Sequence, residues 1–231
     1  MSPEFVEMLD AVVQEEWDSI HAGRFSQHVA EHGVDPQLYR LVMLQIYHYT
    51  RHNSINQAFA SWRVEPERIG MLRFCYEHAN EELGHEKMVI HDLESAGLLE
   101  SADLEKPPLP ATEALIGYLY YVGLHYGAVP RLGYSYWAES AYDHIDGLLR
   151  RTRTDLGLTD KNMSFFIAHS VIDAKHAEEV REAIVKHVGG DRERSQLLQV
   201  ARTTLRLTGA LLDESLAVYE KSVVGTVPSL T

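Results

Sequence analysis

The sequence has very little cysteine: Cys75 is the one thiol among 231 residues. An internal disulfide is therefore excluded, which suits a reducing compartment. A lone cysteine is more often a small buried apolar residue than a nucleophile, and we expect this role for Cys75. The first residues, MSPEFVEMLDAVVQEEW, lack the basic segment and apolar run of a secretory signal, so we expect a cytoplasmic protein.

Basic residues are also scarce, with 21 Lys and Arg against 34 Asp and Glu and a formal net charge of -13. Such a charge repels phosphate backbones and anionic membranes, so we expect neither nucleic acid nor a membrane as a partner. Long apolar runs are missing as well. The most apolar segment, ALIGYLYYVGLHYGAV, is shorter than a bilayer span and contains His125, so it predicts no transmembrane helix.

Strict alternation of apolar and polar residues, the pattern of a half-buried strand, is absent, whereas apolar residues recur at helical spacing almost everywhere. We therefore expect an all-α protein. A chain of 231 residues with 45% hydrophobic content can bury one core, which predicts a single-domain bundle over residues 1–231. Helix-breaking residues predict about seven helices, near residues 3–22, 35–60, 66–96, 111–127, 131–154, 159–188 and 191–223.

Two segments indicate how the helices connect and pack. LLESADLEKPPLPAT, after the third predicted helix, contains three of the eight prolines and predicts a crossover loop between two helical layers. The last helix carries an apolar stripe from Leu198 through Leu205 to Tyr219. We expect this stripe to pack on the body of the domain, and a homodimer seam is the less favoured alternative.

The segment HSVIDAKH contains three candidate metal ligands, His169, Asp173 and His176. At about 100° per residue the three side chains lie within roughly 60° of one another, on one face of a helix. Such a face is either solvated or coordinates an ion. The motif alone leaves both interpretations open.

A second cluster, HANEELGHEKMVIHDL, contains Glu82 and His85 at positions i and i+3 of the third predicted helix. This E-x-x-H pair is how helical bundles with carboxylate-bridged di-iron sites take two ligands from one helix. The pair is also common on helix surfaces and is a weak signal alone. Glu81 is an alternative ligand, and His78 shares the face of His85 as a ligand or a supporting residue.

The third candidate is Glu139, which lies in the aromatic stretch RLGYSYWAESAYDHI, so its burial is expected. A buried carboxylate without a partner costs several kcal/mol, and a cation would compensate it. The alternative is a Glu139 that reaches solvent or pairs with Arg131.

Together these positions offer three histidines and three carboxylates, enough for two ions. Imidazole and carboxylate ligands without thiolate suit iron or manganese better than a structural zinc site. Three carboxylates against two divalent ions leave a net charge of about +1. Such a centre would attract an anion, including reduced dioxygen or a substrate carboxylate.

The order of these elements, E-x-x-H, then a Glu in an aromatic helix, then H-x-x-x-D-x-x-H, resembles the heme-oxygenase-like di-iron oxidase family, which is related to the thiaminase II and pyrroloquinoline quinone synthase folds. The similarity runs from the second to the sixth predicted helix. EELGHEKMVIHDLESAG is similar to the stretch in members that act on fatty acids and amino acids.

The resemblance implies a seven-helix heme-oxygenase-like bundle without heme, with Fe2+ as the cofactor, two ions per chain, and O2 as a co-substrate. It implies that the metal ligands are Glu82, His85, Glu139, His169, Asp173 and His176. Glu139 would take the central place and could bridge the ions. Some members add a Glu from an early helix, where LQIYHYTRHNS offers only His48 and His52.

We therefore expect an O2-dependent non-heme di-iron oxidase or oxygenase. Its substrate would be a small carboxylate-bearing metabolite, an amino acid or fatty acid, and its reaction oxidative decarboxylation, C–C cleavage or N-oxidation. Arg131 is the candidate substrate-binding cation, with Arg51 as another, and an external electron donor is left open as a partner.

Three alternatives remain at this point. One is a metal-free enzyme of the thiaminase or cofactorless-oxidase type, which does not account for H-x-x-x-D-x-x-H. The others are a non-catalytic iron-binding helical protein and a helical interaction module whose His and Glu residues are solvated.

Overall fold

The computed structural model describes residues 3–225, and side chains throughout that range except at positions 3, 170–174, 224 and 225. Within this part the regular structure is entirely helical, so the predicted all-α class is confirmed. The α-helices are α1 (Pro3–His21), α2 (Arg24–His32), α3 (Pro36–Ala60), α4 (Ile69–Glu81), α5 (Glu86–Ser95), α6 (Pro110–His125), α7 (Ala128–Ala138), α8 (Tyr142–Leu156), α9 (Ser164–His187) and α10 (Asp191–Gly225). Short 3-10 helices cover Ser61–Arg63, Asp103–Glu105 and Asp160–Asn162.

These ten helices exceed the predicted seven for three reasons. The stretch between the first two predicted helices forms α2, a nine-residue helix between Gly23 and Gly33 that buries only Phe25 and Val29. The predicted helix over 66–96 is divided into α4 and α5 by a turn at 82–85, and the one over 131–154 is divided into α7 and α8 at 139–141. Both divisions lie at candidate metal ligands.

The start of the long helix α3 shows how local sequence fixes a boundary. Asp35 has extended backbone, its carboxylate accepts a hydrogen bond from the Gln37 amide at 2.7 Å, and Pro36 occupies the first helical position. An Asp cap followed by Pro is a strong start signal because Pro lacks the N–H that this position would leave unpaired. The helix then runs for 25 residues, long enough to contribute both to the core and to the candidate site.

The core consists of two apolar clusters. The first cluster joins α1, α4, α6, α7 and α10 around residues such as Trp17, Leu132 and Leu205. The second joins α2, α3 and α5 with the start of α9, around Leu38 and Phe166. Helix α9 contributes to both clusters, so its middle crosses from one to the other.

Helix α10 packs along α7, α1 and α6. Leu205 and Leu216 on α10 are 0% and 1% exposed, so the predicted packing of its apolar stripe on the body is confirmed. The contact with α7 is very close: a Cβ built on Gly133 would lie 2.3 Å from the backbone oxygen of Leu197. Only glycine allows this approach.

The predicted crossover loop connects α5 to α6 and is tied to α3. The buried carboxylate of Asp103 accepts hydrogen bonds from the Arg40 guanidinium, at 2.8 Å from Nε, from the Lys106 ammonium at 3.0 Å and from the Glu100 amide at 2.9 Å. Cys75 is buried at 1% exposure, as expected. Among the helices between residues 3 and 225, we find no candidate membrane span.

Candidate metal centre

The turn between α4 and α5 carries two of the predicted ligands. Glu82 is its first residue and His85 its last. Gly84 between them has a φ of 90°, in the region that side chains with a Cβ rarely adopt, so a glycine is needed for the chain to turn here. The turn leaves both ligand side chains buried, at 5% and 9% exposure. The spacing predicts that Glu82 and His85 lie on one face of a continuous helix. Because they lie on a turn instead, their side chains leave the backbone in different directions from those of a helix.

Helix ends and one long helix supply the other candidate ligands. Glu139 directly follows the last residue of α7 and is buried at 7% exposure. His169 and His176 lie two turns apart on α9, and His78 lies on α4, one turn before Glu82. Asp173, between the two α9 histidines, falls outside the residues whose side chains are described.

Four side chains form the first ligand group: His78, Glu82, Glu139 and His176 each offer one atom within 4.8 Å of the others. Glu139 presents its two oxygens to two histidines, with Oε1 3.3 Å from Nε2 of His78 and Oε2 3.3 Å from Nδ1 of His176. The Oε1 atom of Glu82 lies 3.7 Å from Nδ1 of His176. Two imidazoles and two carboxylates therefore face one point.

Three side chains form the second ligand group: Glu82, His85 and His169, again within 4.8 Å. Nδ1 of His85 lies 3.0 Å from Nε2 of His169 and 3.4 Å from Oε2 of Glu82. Glu82 thus belongs to both groups and presents a different oxygen to each. The resemblance implied that Glu139 takes the central, bridging place, whereas in this geometry the shared carboxylate is Glu82.

The buried nitrogens of the first group fit a cation. Both ring nitrogens of His78, and Nδ1 of His176, have no hydrogen-bond partner among the described residues, although the carboxylate oxygens lie only 3.3 Å away. Buried polar atoms are normally satisfied. Nitrogens and oxygens that approach without hydrogen-bonding geometry are the arrangement expected of ligands that share an ion. The donor set contains no thiolate, which suits iron or manganese.

Partners outside the two groups select the ligand atom of each α9 histidine. Nδ1 of His169 lies 2.6 Å from the carbonyl oxygen of Phe165 and donates a hydrogen bond to it. Nε2 is then the unprotonated nitrogen, and its lone pair faces His85. Nε2 of His176 lies 3.1 Å from Oε2 of Glu81, which leaves Nδ1 toward Glu82 and Glu139. Such contacts behind a metal-bound imidazole fix its tautomer and orientation.

Electrostatics keep the carboxylates charged. Although burial opposes ionisation of Glu139, the imidazoles of His176 and His78 hold the pKa of this carboxyl at about 2. The same carboxylate, with Glu82 beside it, raises the pKa of His176 to about 9 against the effect of burial. The pKa of Glu82 is lowered despite its burial because His85 lies next to it. Two ionised carboxylates inside the fold make this a site that attracts cations.

Other candidates lie elsewhere. His48 and His52, from the early helix, belong to neither group of described side chains, and Nδ1 of His52 lies 3.1 Å from the hydroxyl of Tyr120. Arg51 stacks over the ring of Tyr47, 5.1 Å from its centroid.

Arg131 was expected to bind a substrate carboxylate, but it lies inside α7 at 2% exposure, apart from the cavity described below. All five N–H donors of a guanidinium are accounted for by oxygen atoms of Asn53, Asn56, Gln57 and Ser135. The guanidinium therefore has no donor left for a substrate.

A cavity of about 560 Å³ reaches the centre, where Asn53, Glu82, Glu139 and His169 contribute to its wall. On α3 the lining residues extend from Leu38 to Asn53, so at 1.5 Å per residue the cavity follows this helix for ~22 Å. Most of the remaining wall is aliphatic or aromatic. The arrangement can hold an elongated apolar molecule with one end at the ligand groups.

Comparison with known proteins shows the family and the fold of the chain. A family model described as "iron-containing redox enzyme" matches residues 40–209. A crystal structure from Shewanella denitrificans OS217, described as a domain of unknown function with a heme oxygenase-like fold, is 39% identical over 98% of both chains, with a TM-score of 0.92. The heme-oxygenase-like fold predicted from the sequence is thereby confirmed.

More distant structures share the fold alone. A TenA homologue from Pseudomonas syringae pv. tomato str. DC3000 is 15% identical over 93% of both chains, with a TM-score of 0.76. The TenA homologue from P. horikoshii OT3 is 14% identical, with a TM-score of 0.73, over 91% of this chain and 97% of that one. No curated protein matches the chain.

Proposed function

Because the chain belongs to the family of iron-containing redox enzymes, we propose that it is a dioxygen-dependent non-heme di-iron oxidase or oxygenase acting on a small carboxylate-bearing metabolite. The observation that carries this proposal is the sharing of Glu82 between two buried ligand groups. A carboxylate that offers one oxygen to each of two ligand groups is suited to join a pair of ions.

One ion would be held by His78, Glu82, Glu139 and His176, and the other by Glu82, His85 and His169. Asp173 remains a predicted additional ligand. Ferrous iron at these positions would supply the electrons for dioxygen reduction. The side chains hold the ligand atoms in place and keep them shielded from water.

The charge of the side chains suits an anionic substrate. Glu82, Glu139 and Asp173 together carry three negative charges, whereas two divalent cations would carry four positive charges. The centre would therefore have a net positive charge of about +1. A substrate carboxylate would therefore be attracted to the end of the cavity where Glu82 and Glu139 lie.

The cavity favours a fatty acid over a free amino acid. A short polar molecule would leave most of the apolar wall along α3 in contact with water, whereas an alkyl chain would bury it. Dry walls also prevent side reactions of an activated substrate. With an aliphatic acid bound carboxylate-first, oxidative decarboxylation or C–C cleavage is favoured over N-oxidation.

The metal-free alternative has less support. TenA homologues share the fold at 14–15% identity, which says nothing of chemistry. A metal-free enzyme would also leave the His78 nitrogens buried without a function, at a cost of about 1–3 kcal/mol for each unsatisfied atom.

Anaerobic titration with ferrous iron tests the proposal. The parent protein is expected to bind two equivalents of iron. His78→Ala should lose the site of the first ligand group, and His169→Ala should lose the site of the second. His91→Ala, which changes an exposed histidine on α5, is the control and should bind as much iron as the parent. Oxygen exposure in a stopped-flow instrument is then compared across fatty acids of increasing chain length and free amino acids. If all three variants bind as much iron as the parent, the centre is not where we place it.

A further inference from the structure

The buried guanidinium of Arg131 is unusual because each of its hydrogen bonds is to a neutral oxygen. A buried charge is costly unless its hydrogen bonds are satisfied. Arg131 Nη1 donates to Ser135 Oγ at 3.0 Å, and other donors reach the side-chain oxygens of Asn56 and Gln57. Its remaining donor group, Nη2, is committed to Asn53. The question is why the fold buries a cation here.

Asn53 connects this cation to the metal centre. Its Oδ1 accepts from Nη2 of Arg131 at 2.7 Å, and its Nδ2 donates to Oε2 of Glu82 at 2.8 Å. A guanidinium has no acceptor and an ionised carboxylate has no donor, so the Asn53 amide can be placed in only one of its two orientations. Arg131 thereby ensures that an N–H group, and not an oxygen, faces Glu82.

The hydrogen bond acts on the oxygen that the second ligand group uses. Oε2 of Glu82 lies 3.4 Å from Nδ1 of His85, whereas Oε1 lies 3.7 Å from Nδ1 of His176. A carboxylate that rotated about its last bond would withdraw one oxygen from one group. The Asn53 donor opposes this rotation from outside both groups.

We propose that Asn53, oriented by Arg131, is a positioning residue that holds the Glu82 carboxylate with one oxygen toward each ligand group. The inference rests on the proposed two-ion function. It assigns Arg131 an internal role in place of substrate binding. Supporting contacts of this kind change metal affinity by about 10–100-fold when they are removed.

Asn53→Asp is the sharpest variant. It keeps the size of the side chain and an acceptor for Arg131, and it replaces the N–H group that faces Glu82 by a carboxylate oxygen. If Asn53 served merely to satisfy Arg131, a carboxylate would do so at least as well. The aspartate introduced at position 53 could itself bind a metal ion and mask the effect. Asn53→Leu is therefore a second variant, since leucine cannot be a metal ligand.

Gln57→Glu is the matched control. It converts another amide acceptor of Arg131 into a carboxylate, in the same buried network, but no contact joins Gln57 to Glu82 among the described side chains. The control therefore adds the same charge beside the same guanidinium without touching the shared carboxylate.

The experiment uses Co2+ alone as the probe, without oxygen or substrate. Stoichiometry and affinity come from visible absorption, and magnetic coupling between two bound ions from variable-temperature susceptibility. We expect two coupled ions in the parent and in Gln57→Glu. In Asn53→Asp and Asn53→Leu we expect the affinity for the second Co2+ equivalent to fall at least about tenfold. We also expect the magnetic coupling between the two ions to be lost.

Three results would overturn the inference, and they are distinguishable. If the parent binds a coupled pair and both Asn53 variants do too, with unchanged affinity, the positioning role is wrong and the two-ion function stands. If the parent binds no pair, the proposed function fails and the inference fails with it. An equal loss in Gln57→Glu would assign the effect to charge, which also contradicts the role of the N–H group.

Discussion

At the scale of single residues, the histidines of the centre show how a hydrogen bond on one side of an imidazole selects the ligand atom on the other. His169 donates from Nδ1 to the Phe165 carbonyl and presents Nε2, whereas His176 contacts Glu81 through Nε2 and presents Nδ1. The two rings lie on one helix and serve different ligand groups with different atoms. Residue identity alone could not specify this division.

Glu81→Gln tests the support behind His176. The glutamine keeps the length of the side chain but accepts more weakly from Nε2, so we expect apparent affinity for Fe2+ or Mn2+ at the first group to fall by about 10-fold or more. Titration under anaerobic conditions measures the change. Glu77→Gln, on an exposed face of the same helix, is the control and should bind as the parent does. Equal affinity in the two variants would contradict the support role.

The chemistry of most candidate residues could be predicted from the sequence. Motif spacing and aromatic context identify five candidates that the structure brings together: Glu82, His85, Glu139, His169 and His176. Their role as ligands is still a prediction. Sequence spacing could not show which carboxylate is shared, because that depends on which oxygen of a buried side chain faces which helix.

His78 was the less certain candidate. On the predicted continuous helix it shares a face with His85, and the spacing does not distinguish a ligand from a supporting residue. Two unpartnered buried nitrogens now favour the ligand role. Only tertiary packing reveals such a feature.

At the scale of secondary structure, the two breaks that the sequence did not predict are the places where the carboxylates lie. Apolar periodicity continues through both breaks, and for this reason it predicts longer helices than the chain forms. Gly84 was the one local sign of the first break, and a glycine inside a helical pattern is ambiguous. A continuous helix would have kept Glu82 and His85 on one surface instead of on a turn.

Gly84→Ala tests the turn. A Cβ at a φ of 90° is strained, at a cost of about 1–3 kcal/mol, so the melting temperature should fall. Because the turn places Glu82 and His85, Co2+ affinity should fall too. Gly97→Ala is a matched control: Gly97 also has positive φ, 69°, and open space around it, but it lies beyond the end of α5, in a segment that carries no candidate ligand. Its variant should lose stability and keep metal affinity, and a metal defect in both would contradict a specific role of the turn.

Asp103→Asn tests the anchor of the crossover loop. Although burial opposes ionisation, hydrogen bonds from Arg40, the Glu100 amide and Lys106 hold the pKa of this carboxyl well below its usual range. A lowered folded-state pKa means that the contribution to stability is complete above about pH 4 and is lost as pH falls toward the folded-state pKa. We expect the variant to lose about 2–3 kcal/mol at neutral pH, and the difference from the parent to shrink below about pH 4.

Urea unfolding at several pH values measures this difference. Asp160→Asn removes the partner of Arg153 in an exposed ion pair, with side-chain exposures of 49% and 75%, and should cost no more than about 0.5 kcal/mol. A pH-independent loss in Asp103→Asn would show that the carboxylate charge is not what anchors the loop.

At the scale of the whole molecule, the candidate centre lies where the two apolar clusters meet. Met71 and Cys75 of α4 belong to the first cluster, and Phe166 of α9 to the second, and both helices supply ligands. The predicted fold class needed only the helical period, but the meeting point needs the packing of helices far apart in sequence. Helix α7 occupies a central position in this arrangement because it carries Arg131, ends directly before Glu139 and packs closely on α10.

Gly133→Ala tests whether that close contact supports the centre. The added methyl would overlap backbone atoms of Leu197, which cannot rotate away as a side chain could, so α7 and α10 must separate. We expect a loss of about 3 kcal/mol, since overpacking costs outweigh the helix preference of Ala. Gly117→Ala, at an exposed helical position with nothing within 4 Å, should instead gain about 0.5–1 kcal/mol.

Because a displaced α7 carries Glu139 with it, Co2+ binding at the first ligand group should weaken in Gly133→Ala alone. A variant that loses stability but keeps full Co2+ affinity would show that the centre tolerates movement of α7, and that its geometry is set by α4 and α9 instead.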